Sequence, residues 1–404
     1  MIKIAVIGAG PAGMMAAITA AKAGAKVTVF ERNDIAGKKL LLTGNGKCNF
    51  TNVDIHADYY SFQEDSFADD ILNELTYRDV CDVFMEMGVL SVERKGGLYP
   101  FTGQAKTVVN ALVRAMERLG VTLLTGSCVN SITKQNNCFM VHTDKENTEF
   151  DRVILACGGK AAPKTGSDGF GYRLARGFGH TVSRTYPALV QLIADNPNLK
   201  NVAGVRCYAN ASAWINGEKV VSDYGELQLT EYGLSGIPVF HLSRYLSKAV
   251  EEKENCIVKV DFVPQIRSDA LEGYVLEQQK VLSGCSFKAF LEGMVHDKLA
   301  DYFLKIKKQE SAFLSSEEDA RKLICLLKEM KAWEFVITGH KGFENAQVTK
   351  GGVLLDEIDE NMQSKLTQGL YFAGEMVDVD AECGGYNLHW AWASGKKAGE
   401  EAAK

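Results

Sequence analysis

The sequence lacks the cysteine patterns of redox dithiols and zinc sites, although it contains ten cysteines in 404 residues. No two cysteines have the C-x-x-C spacing, and no cysteine–histidine cluster has the spacing of zinc ligands. This argues against a classical disulfide reductase and against a structural zinc module. We expect most of the cysteines to be small buried residues in a reducing compartment, and we expect no metal site.

Long apolar runs and an excess of positive charge are also missing. The N-terminus lacks the basic start and cleavage site of a signal peptide, and no apolar run is long enough to cross a bilayer. The formal charge of −6 and the pI near 5.8 argue against a broad nucleic-acid-binding face, the alternative being a local basic groove. We expect a cytoplasmic protein with a small-molecule substrate and no membrane partner. Nucleic acid is the less expected partner, and the oligomeric state is not indicated.

The first 31 residues carry a dinucleotide-binding pattern. An apolar run over residues 2–7 predicts a buried strand, alanine-rich residues 14–23 predict a helix, and residues 26–30 predict a second strand. The turn between the first strand and the helix contains Gly8, Gly10, Pro11, Ala12 and Gly13, in the spacing G-x-G-x-x-G. Such glycines let the backbone approach a pyrophosphate, which rests on the helix N-terminus.

Glu31 ends the second strand, 21 positions after Gly10. A carboxylate there hydrogen-bonds both ribose hydroxyls of an adenosine and repels a 2′-phosphate. The bound ADP half therefore belongs to FAD or NAD rather than to NADP. Arg32 follows directly, and it either lies along the adenine or is solvated.

A second glycine pair lies near the other end of the chain. A short apolar strand over residues 370–373 reaches Gly374 and Glu375, and Gly384 with Gly385 opens a helix predicted from about Tyr386. The positive end of that helix would favour the negative charge that a flavin ring gains on reduction. The alternative is an ordinary surface helix that starts at glycine.

Several separated segments together resemble one group of bacterial flavoproteins, the BaiN-like or aminoacetone-oxidase-like NAD(P)/FAD-dependent oxidoreductases. The segments are "GAGPAG" (8–13), "GKKLLLTGNGKCNFTN" (37–52), "LACGG" (155–159), "TGSDGFGYRLARGFGH" (165–180), "LTEYGLSG" (229–236), "VTKGGV" (348–353) and "LYFAGEMVDVDAECGGYNLHWAWASG" (370–395). The resemblance spans nearly the whole chain and implies bound FAD.

The resemblance also implies further cofactor contacts. The segment 37–52 would run beside the FAD pyrophosphate towards the flavin ring, Val129 would touch the adenine, and residues 156–158 would lie along the ADP half. The residues implied in this way are Lys39, Leu40, Gly44, Gly46, Asn49, Val129, Ala156, Cys157, Gly158, Gly374, Glu375, Gly385, Tyr386 and Asn387. Cys48 and Cys383 are either a redox pair or inert packing groups.

The predicted fold class is α/β: a Rossmann-like, three-layer FAD-binding domain of the glutathione-reductase type with an inserted β-barrel-like domain and a helical subdomain. We expect the FAD domain at 1–187 plus 346–404, the barrel at 188–266 plus about 334–345, and the helical insert at 267–333. Asn216-Gly217 between two candidate strands predicts a hairpin. Ser315 with Glu318 predicts a capping box.

The resemblance implies an FAD-dependent oxidoreductase that reduces an activated C=C or oxo substrate, such as an enone or oxo-steroid, with NADH or NADPH as transient donor. Alternatives are an FAD oxidase of an amine or aminoketone, an RNA-acting (tRNA-modifying) flavoprotein, and a flavin-loaded interaction module. No catalytic residue is assigned; Tyr386, His389 and Thr230 are candidates for proton handling or for structural roles. The chain departs from the commoner family pattern at Glu231, where many relatives have histidine, and at Gly97, where arginine is frequent.

Overall fold

The computed structural model describes residues 1–63 and 66–404. They divide into two compact units, of which the first combines Met1–Pro187 with Ala346–Lys404 and the second is Ala188–Asn345. The first unit is therefore assembled from two stretches that are far apart in the sequence.

The strands of the described residues are mostly short. In chain order they are β1 (Lys3–Ile7), β2 (Lys26–Phe30), β3 (Thr51–Asn52), β4 (Tyr60–Ser61), β5 (Ser91–Arg94), β6 (Gly97–Pro100), β7 (Thr122–Leu124), β8 (Val129–Gln135), β9 (Cys138–Thr143), β10 (Asn147–Phe150), β11 (Arg152–Leu155), β12 (Tyr186–Ala188), β13 (Leu192–Asp195), β14 (Arg206–Ile215), β15 (Glu218–Thr230), β16 (Gly233–Gly236), β17 (Cys256–Asp261), β18 (Cys285–Ser286), β19 (Phe313–Leu314), β20 (Trp333–His340), β21 (Val348–Lys350), β22 (Leu370–Phe372) and β23 (Asp380–Ala381).

The helices vary more in length. They are α1 (Pro11–Lys22), α2 (Ala68–Asn73), α3 (Tyr77–Glu86), α4 (Ala105–Arg118), α5 (Phe170–Gly177), α6 (Leu199–Val202), α7 (Ile237–Glu251), α8 (Leu271–Val281), α9 (Phe287–Glu292), α10 (Asp297–Ile306), α11 (Glu317–Met330) and α12 (Tyr386–Ala402).

A five-stranded parallel sheet in the order β22-β11-β1-β2-β7 forms the centre of the first unit. Four residues of β1, Ile4 to Ile7, are at most 5% exposed, as expected for a strand covered on both faces. Helix α12 packs on α1 at close range, because methyl groups built on Gly395 and Gly399 would lie 2.5 and 2.4 Å from carbonyl oxygens of α1. The last helix of the chain thereby covers the first.

The second unit contains a closed barrel of six strands in the order β13-β16-β15-β14-β17-β20. Its β14–β15 hairpin turns at Asn216 and Gly217, which have φ values of 53° and 88°, as a type I′ turn requires. Helices α8 to α11 join their apolar faces to the barrel in one core. The predicted fold class, a Rossmann-like unit with a barrel and a helical subdomain, is confirmed.

The predicted capping box is wrong by one residue. Helix α11 begins at Glu317, so Ser316 is its N-cap and exchanges hydrogen bonds with Asp319. Ser315 and Glu318 have the right residue types, but the serine whose backbone is extended at the helix start takes the cap.

Lys331, just after α11, fixes the helical subdomain to the end of β17. Its ammonium group is buried and donates to Asp261 Oδ2 at 2.7 Å and to the carbonyl oxygens of Val263 and Ile266 at 2.9 and 2.6 Å. All three donor hydrogens of the ammonium group are therefore used.

We predict that Lys331→Met lowers the free energy of unfolding by about 2–4 kcal/mol, because it leaves a half-buried carboxylate and two carbonyls without their donor. The measurement is urea unfolding of the full chain, followed by tryptophan fluorescence. Lys328→Met, at an exposed position one turn earlier, should change stability by no more than about 0.5 kcal/mol. Equal losses in the two variants would contradict the assignment.

Candidate cofactor and active site

The three glycines between β1 and α1 have different surroundings. Gly8 has a φ of +106°, and a methyl group on it would lie 2.5 Å from the Ala156 carbonyl oxygen. A methyl group on Gly13 would lie 1.9 Å from the Gly8 carbonyl oxygen. Both residues must be glycine because the loop packs on itself and on the end of β11.

Gly10 is glycine for a different reason. Its φ of −78° is open to any residue, and nothing in the described chain lies within 4 Å of a methyl group built on it. The space beside Gly10 adjoins the first turn of α1, which has Pro11 at its start and no acidic residue. The open space and the free N–H groups of that turn fit a phosphate group from outside the chain.

Glu31 is held beside this loop by three donors. Its Oε2 accepts from the Ala9 backbone N–H at 2.9 Å, and its Oε1 accepts from the backbone and the side-chain amide of Asn33 at 2.8 and 2.7 Å. A carboxylate has about four acceptor positions, so room remains for a sugar hydroxyl. Backbone bonds from Gly126 and Ser127 to this strand end bring the start of β8, with Val129, to the same place.

The exposed side chain of Arg32 forms an ion pair with an acidic residue from another segment. Its Nη1 pairs with Asp168 Oδ2 at 2.6 Å, and the hydrogen bond to Asp168 raises the pKa of the guanidinium. Asn33 Nδ2 also donates to the Thr165 carbonyl at 3.0 Å. The glycine-rich segment that contains Asp168 therefore packs against the end of β2.

A partly buried ion pair joins the two distant parts of the expected site. Lys39 Nζ lies 2.7 Å from Glu375 Oε2, and the side chains are 25% and 20% exposed. Glu375 Oε1 accepts from the Thr349 backbone N–H at 2.7 Å, and Thr349 Oγ1 accepts from the N–H groups of Lys160 and Ala161. Thr349 could not be predicted as part of this site, since nothing in its segment "VTKGGV" indicates that the hydroxyl joins two loops.

The glycines after β11 lie at positions where a side chain would not fit, next to Ser167 and Thr349. Methyl groups on Gly158 and Gly159 would lie 2.6 Å from Ser167 Oγ and 2.3 Å from Thr349 Oγ1. Cys157 directs its thiol towards the Ile7 carbonyl at 3.4 Å, and burial raises its pKa to about 12. Cys157 is therefore a packing group whose backbone, beside that of Ala156, faces the glycine loop.

The loop that follows Lys39 turns through left-handed backbone. Gly44, Asn45 and Gly46 have φ values of 56°, 54° and 78°, while Leu40 is 1% exposed and anchors the start of the loop in the core. Cys48 is also buried, and burial raises its pKa to about 12. Its thiol is therefore protonated at neutral pH, and Cys48 is not part of a disulfide.

The side chain of Asn49 lies between Gly97 and Gly385. A methyl group on Gly97 would lie 2.7 Å from Asn49 Nδ2, and one on Gly385 would lie 3.0 Å from Asn49 Oδ1. This Oδ1 is buried and has no hydrogen-bond partner among the described residues. A residue with a side chain at position 97 would displace the amide. The unpaired oxygen is an acceptor that a bound donor can satisfy.

The start of α12 meets the same loop. Gly385 has a φ of +99° and Tyr386 is the first helical residue. Asn387 accepts from the Ala381 N–H at 2.9 Å and donates to the carbonyls of Ala381 and Glu382. The amide of Asn387 therefore holds the preceding segment in place. Gly374 is fixed by Ser394 Oγ and Trp390 Nε1 on the same helix.

Two of the candidate proton-handling residues are structural. His389 is fully buried, its Nδ1 lies 2.7 Å from Thr51 Oγ1, and burial lowers its pKa to about 4. The ring also faces the carbonyls of Leu72 and Leu75, although Nε2 reaches hydrogen-bond geometry with no described residue. Thr230, in the second unit, exchanges hydrogen bonds with Gly233 and closes a barrel turn.

The parallel sheet, the open glycine turn, the carboxylate at the end of β2 and the returning C-terminal helix define the class of Rossmann-type flavoprotein oxidoreductases. The chain belongs to the HI0933-like protein Rossmann domain family, whose model matches residues 2–401. The resemblance seen in the sequence is thereby confirmed. The described residues include no helix with the length and apolar character to cross a membrane.

Three curated relatives match nearly all of the chain. A 3-dehydro-bile acid Δ4,6-reductase of Clostridium scindens is 37% identical over 407 residues and covers 100% of both chains. Ribosomal RNA dihydrouridine synthases of Escherichia coli and Haemophilus influenzae are each 29% identical, covering 96% of this chain and 95% of theirs. A solved 3-ketosteroid-Δ4-(5α)-dehydrogenase of Rhodococcus jostii covers 100% of this chain and 97% of its own, with 15% identity and a TM-score of 0.53, which shows a shared fold.

We predict that Gly10→Asn leaves the stability of the apoprotein unchanged but weakens FAD binding by at least about 100-fold. Asparagine is a good N-cap residue in extended backbone, whereas its side chain fills the space beside the turn. The measurements are apoprotein melting and titration with FAD, followed by quenching of flavin fluorescence.

Gly13→Ala is the matched control for that experiment. Its added methyl group meets the Gly8 carbonyl, so the apoprotein itself should lose stability. The assignment of the open space to a ligand is wrong if Gly10→Asn binds FAD as tightly as the wild-type chain.

We predict that His389 makes stability depend on pH between its ordinary pKa of 6.5 and about 4. In this range the unfolded chain binds a proton that the folded chain does not, so stability falls as the pH falls. The difference over this range is about 3 kcal/mol. Urea unfolding at several pH values should give a flatter profile for His389→Gln than for the wild type. His56→Gln, at an exposed imidazole, controls for the loss of a histidine, and identical wild-type and His389→Gln profiles would contradict the prediction.

Proposed function

We propose that the chain is an FAD-dependent reductase of a carbon–carbon double bond conjugated to a carbonyl group, with NADH or NADPH as electron donor. The observation that carries the proposal is the full-length identity of 37% with a reductase named for a 3-dehydro-bile acid. The expected substrate is a small enone, such as an oxo-steroid. A particular bile acid is not proposed, because Gly97 and Glu231 depart from the common family pattern.

The residues proposed to hold FAD follow the arrangement described above. The backbone from Gly8 to Gly13 and the first turn of α1 would receive the pyrophosphate, and Glu31 would receive the adenosine ribose. Lys39 and Glu375 would lie along the middle of the cofactor, and Asn49 with the start of α12 would face the ring. When bound, FAD supplies hydride transfer. The remaining proposed contacts are the backbone atoms of Pro11, Ala12, Arg32, Leu40, Gly44, Gly46, Val129, Ala156, Cys157, Gly158, Gly374, Gly385, Tyr386 and Asn387.

The start of α12 would place partial positive charge beside the flavin ring. It has no acidic residue in its first turn, so its free N–H groups present partial positive charge to whatever lies beside Gly385. This charge would stabilise the anionic form that a reduced ring takes. Asn49 Oδ1 can only accept a hydrogen bond, so it would orient a ring N–H. The nicotinamide donor would bind transiently, because the sequence contains only one complete dinucleotide-binding pattern.

A second candidate is the reduction of uracil in RNA. The two relatives at 29% identity are named ribosomal RNA dihydrouridine synthases. Uracil also contains a double bond conjugated to a carbonyl, so the chemistry is shared and only substrate recognition differs. The identity to these synthases is lower than to the bile-acid reductase, and the net charge is −6. Both facts favour a small-molecule substrate over RNA.

We predict that anaerobic NADH or NADPH bleaches the bound flavin, and that an oxo-steroid enone such as 4-androstene-3,17-dione then reoxidises it. The enone should act at least about tenfold faster than its saturated analogue, because only the enone accepts hydride. The measurement is stopped-flow absorbance with product analysis by mass spectrometry. Gly10→Asn, which should not retain FAD, is the control for unbound flavin.

Other outcomes would replace the proposal. Stoichiometric peroxide with an amine, and no reaction with enones, would indicate the oxidase. Dihydrouridine formed in a ribosomal RNA fragment, with salt-dependent binding, would favour the second candidate. A flavin that neither nicotinamide nucleotide reduces would rule out the proposed donor.

A further inference from the structure

The chain contains two Asn-Gly steps, Asn45-Gly46 and Asn216-Gly217. A glycine after an asparagine has no side chain to shield its backbone nitrogen, so this nitrogen can approach the side-chain amide carbon of the asparagine. Both asparagines are exposed, and both have left-handed backbone with φ values of 54° and 53°. Exposure and backbone conformation therefore do not distinguish the two steps.

The hydrogen bonds of the side-chain amides do distinguish them. Asn216 Nδ2 donates to Glu254 Oε1 at 3.1 Å, and Asn216 Oδ1 accepts from the Asn255 backbone N–H at 3.1 Å. The backbone N–H of Asn216 also donates to the Asn255 carbonyl at 2.9 Å. The amide in the hairpin turn is therefore held at both of its polar atoms.

The Asn45 amide is not held in this way. Within residues 1–63 and 66–404, no group is hydrogen-bonded to the Asn45 side chain. A methyl group built on Gly46 would meet no described atom closer than the Leu41 carbonyl oxygen, at 3.9 Å. Leu40 and Cys48 are buried on either side of the step, so Asn45 lies in the exposed middle of a loop anchored at both ends. The Asn45 amide can therefore turn towards the Gly46 nitrogen without first breaking a hydrogen bond.

We propose that Asn45-Gly46 is a site of spontaneous deamidation, whereas hydrogen bonds protect Asn216-Gly217. The Gly46 nitrogen loses its proton and bonds to the side-chain amide carbon of Asn45. The bond from that carbon to the amide nitrogen breaks, and ammonia leaves with the proton. The five-membered imide takes up one water and opens to aspartate or isoaspartate. The sum is asparagine and water giving an acid and ammonia, and nothing is oxidised or reduced.

The reaction would alter the loop that is proposed to lie along FAD, and this consequence rests on the proposed cofactor arrangement. Gly44, Gly46 and Asn49 are proposed contacts on either side of Asn45. Deamidation adds one negative charge there, and isoaspartate adds one further backbone atom. FAD carries two negatively charged phosphates, so the altered loop would bind FAD more weakly. Bound FAD would in turn restrict the loop and slow the reaction.

The site is tested by incubating the full chain without FAD at mildly alkaline pH and following the two Asn-Gly peptides by mass spectrometry. Asn45 should be converted at least about tenfold faster than Asn216, because two hydrogen bonds must break before the Asn216 amide can turn. The rate at Asn45 should rise with pH, since the Gly46 nitrogen must lose its proton. In urea, where neither amide is held, the two steps should react at similar rates.

Two variants separate the hydrogen bonds from the local sequence. Glu254→Ala, at an exposed position, removes one of the two bonds to the Asn216 amide. Asn216 should then react about fivefold faster, while Asn45 keeps its rate. Asn45→Gly suits the left-handed backbone and lacks the reacting amide, so its loop peptide should keep its mass.

The link to the cofactor has separate readouts. FAD at about ten times its Kd should slow the reaction at Asn45 about tenfold, since only the free chain reacts, and should leave Asn216 unchanged. Asn45→Asp, which contains the product charge without ageing, should bind FAD about twofold to fivefold more weakly than Asn45→Gly at low salt. The difference should disappear at high salt, because exposed charges are then screened.

The possible failures differ from one another. Equal rates at the two steps in the folded chain, or a faster reaction at Asn216, would overturn the proposed deamidation site. Reaction at Asn45 that FAD does not slow would overturn the link between this loop and the cofactor. A chain whose Asn45 is protected by FAD but which reduces no enone would lose the proposed function and keep the deamidation site.

Discussion

The ion pair between Lys39 and Glu375 is the interaction on which the rest of the first unit depends. Its partners are 336 positions apart, and the Thr349 backbone adds a third segment to the same carboxylate. A salt bridge of this exposure contributes modest net stability, so its importance is geometric. It sets the position of the loop after Lys39 relative to the end of β22. The other parts of the expected site lie beside this loop. They are the glycine turn before α1, the Asn49 side chain and the start of α12.

The local features of the fold could be predicted from the sequence because their causes are local. The strand–turn–helix from Lys3 to Lys22 follows from apolar periodicity and three glycines, and the hairpin at Asn216 follows from a turn that needs positive φ at two successive residues. Membership of a flavoprotein family followed from motifs in a fixed order. The cap of α11 was misplaced by one residue, since serine and acidic residues occur there in succession and only the backbone selects one.

Features that depend on distant partners could not be predicted in this way. Arg32 pairs with Asp168, which is 136 positions away, and nothing in either local sequence indicates the other. The neutral state of His389 results from the burial of its ring, and the role of Thr349 results from two loops that meet at its hydroxyl. The unpaired Oδ1 of Asn49 could not be predicted either. An atom is recognised as lacking a hydrogen-bond partner only when the positions of all its neighbours are known.

The close packing of α12 on α1 has a consequence for biosynthesis. Ribosomes release a chain from its N-terminus, so residues 1–187 emerge without β22 and without the helix whose glycines lie against α1. Until the last residues appear, the nascent sheet has an open edge at β11 and an uncovered helix surface. The intervening unit can close its barrel first, since all six barrel strands lie within the continuous segment Ala188–Asn345. The edge of β11 therefore stays unpaired until β22 has been synthesised.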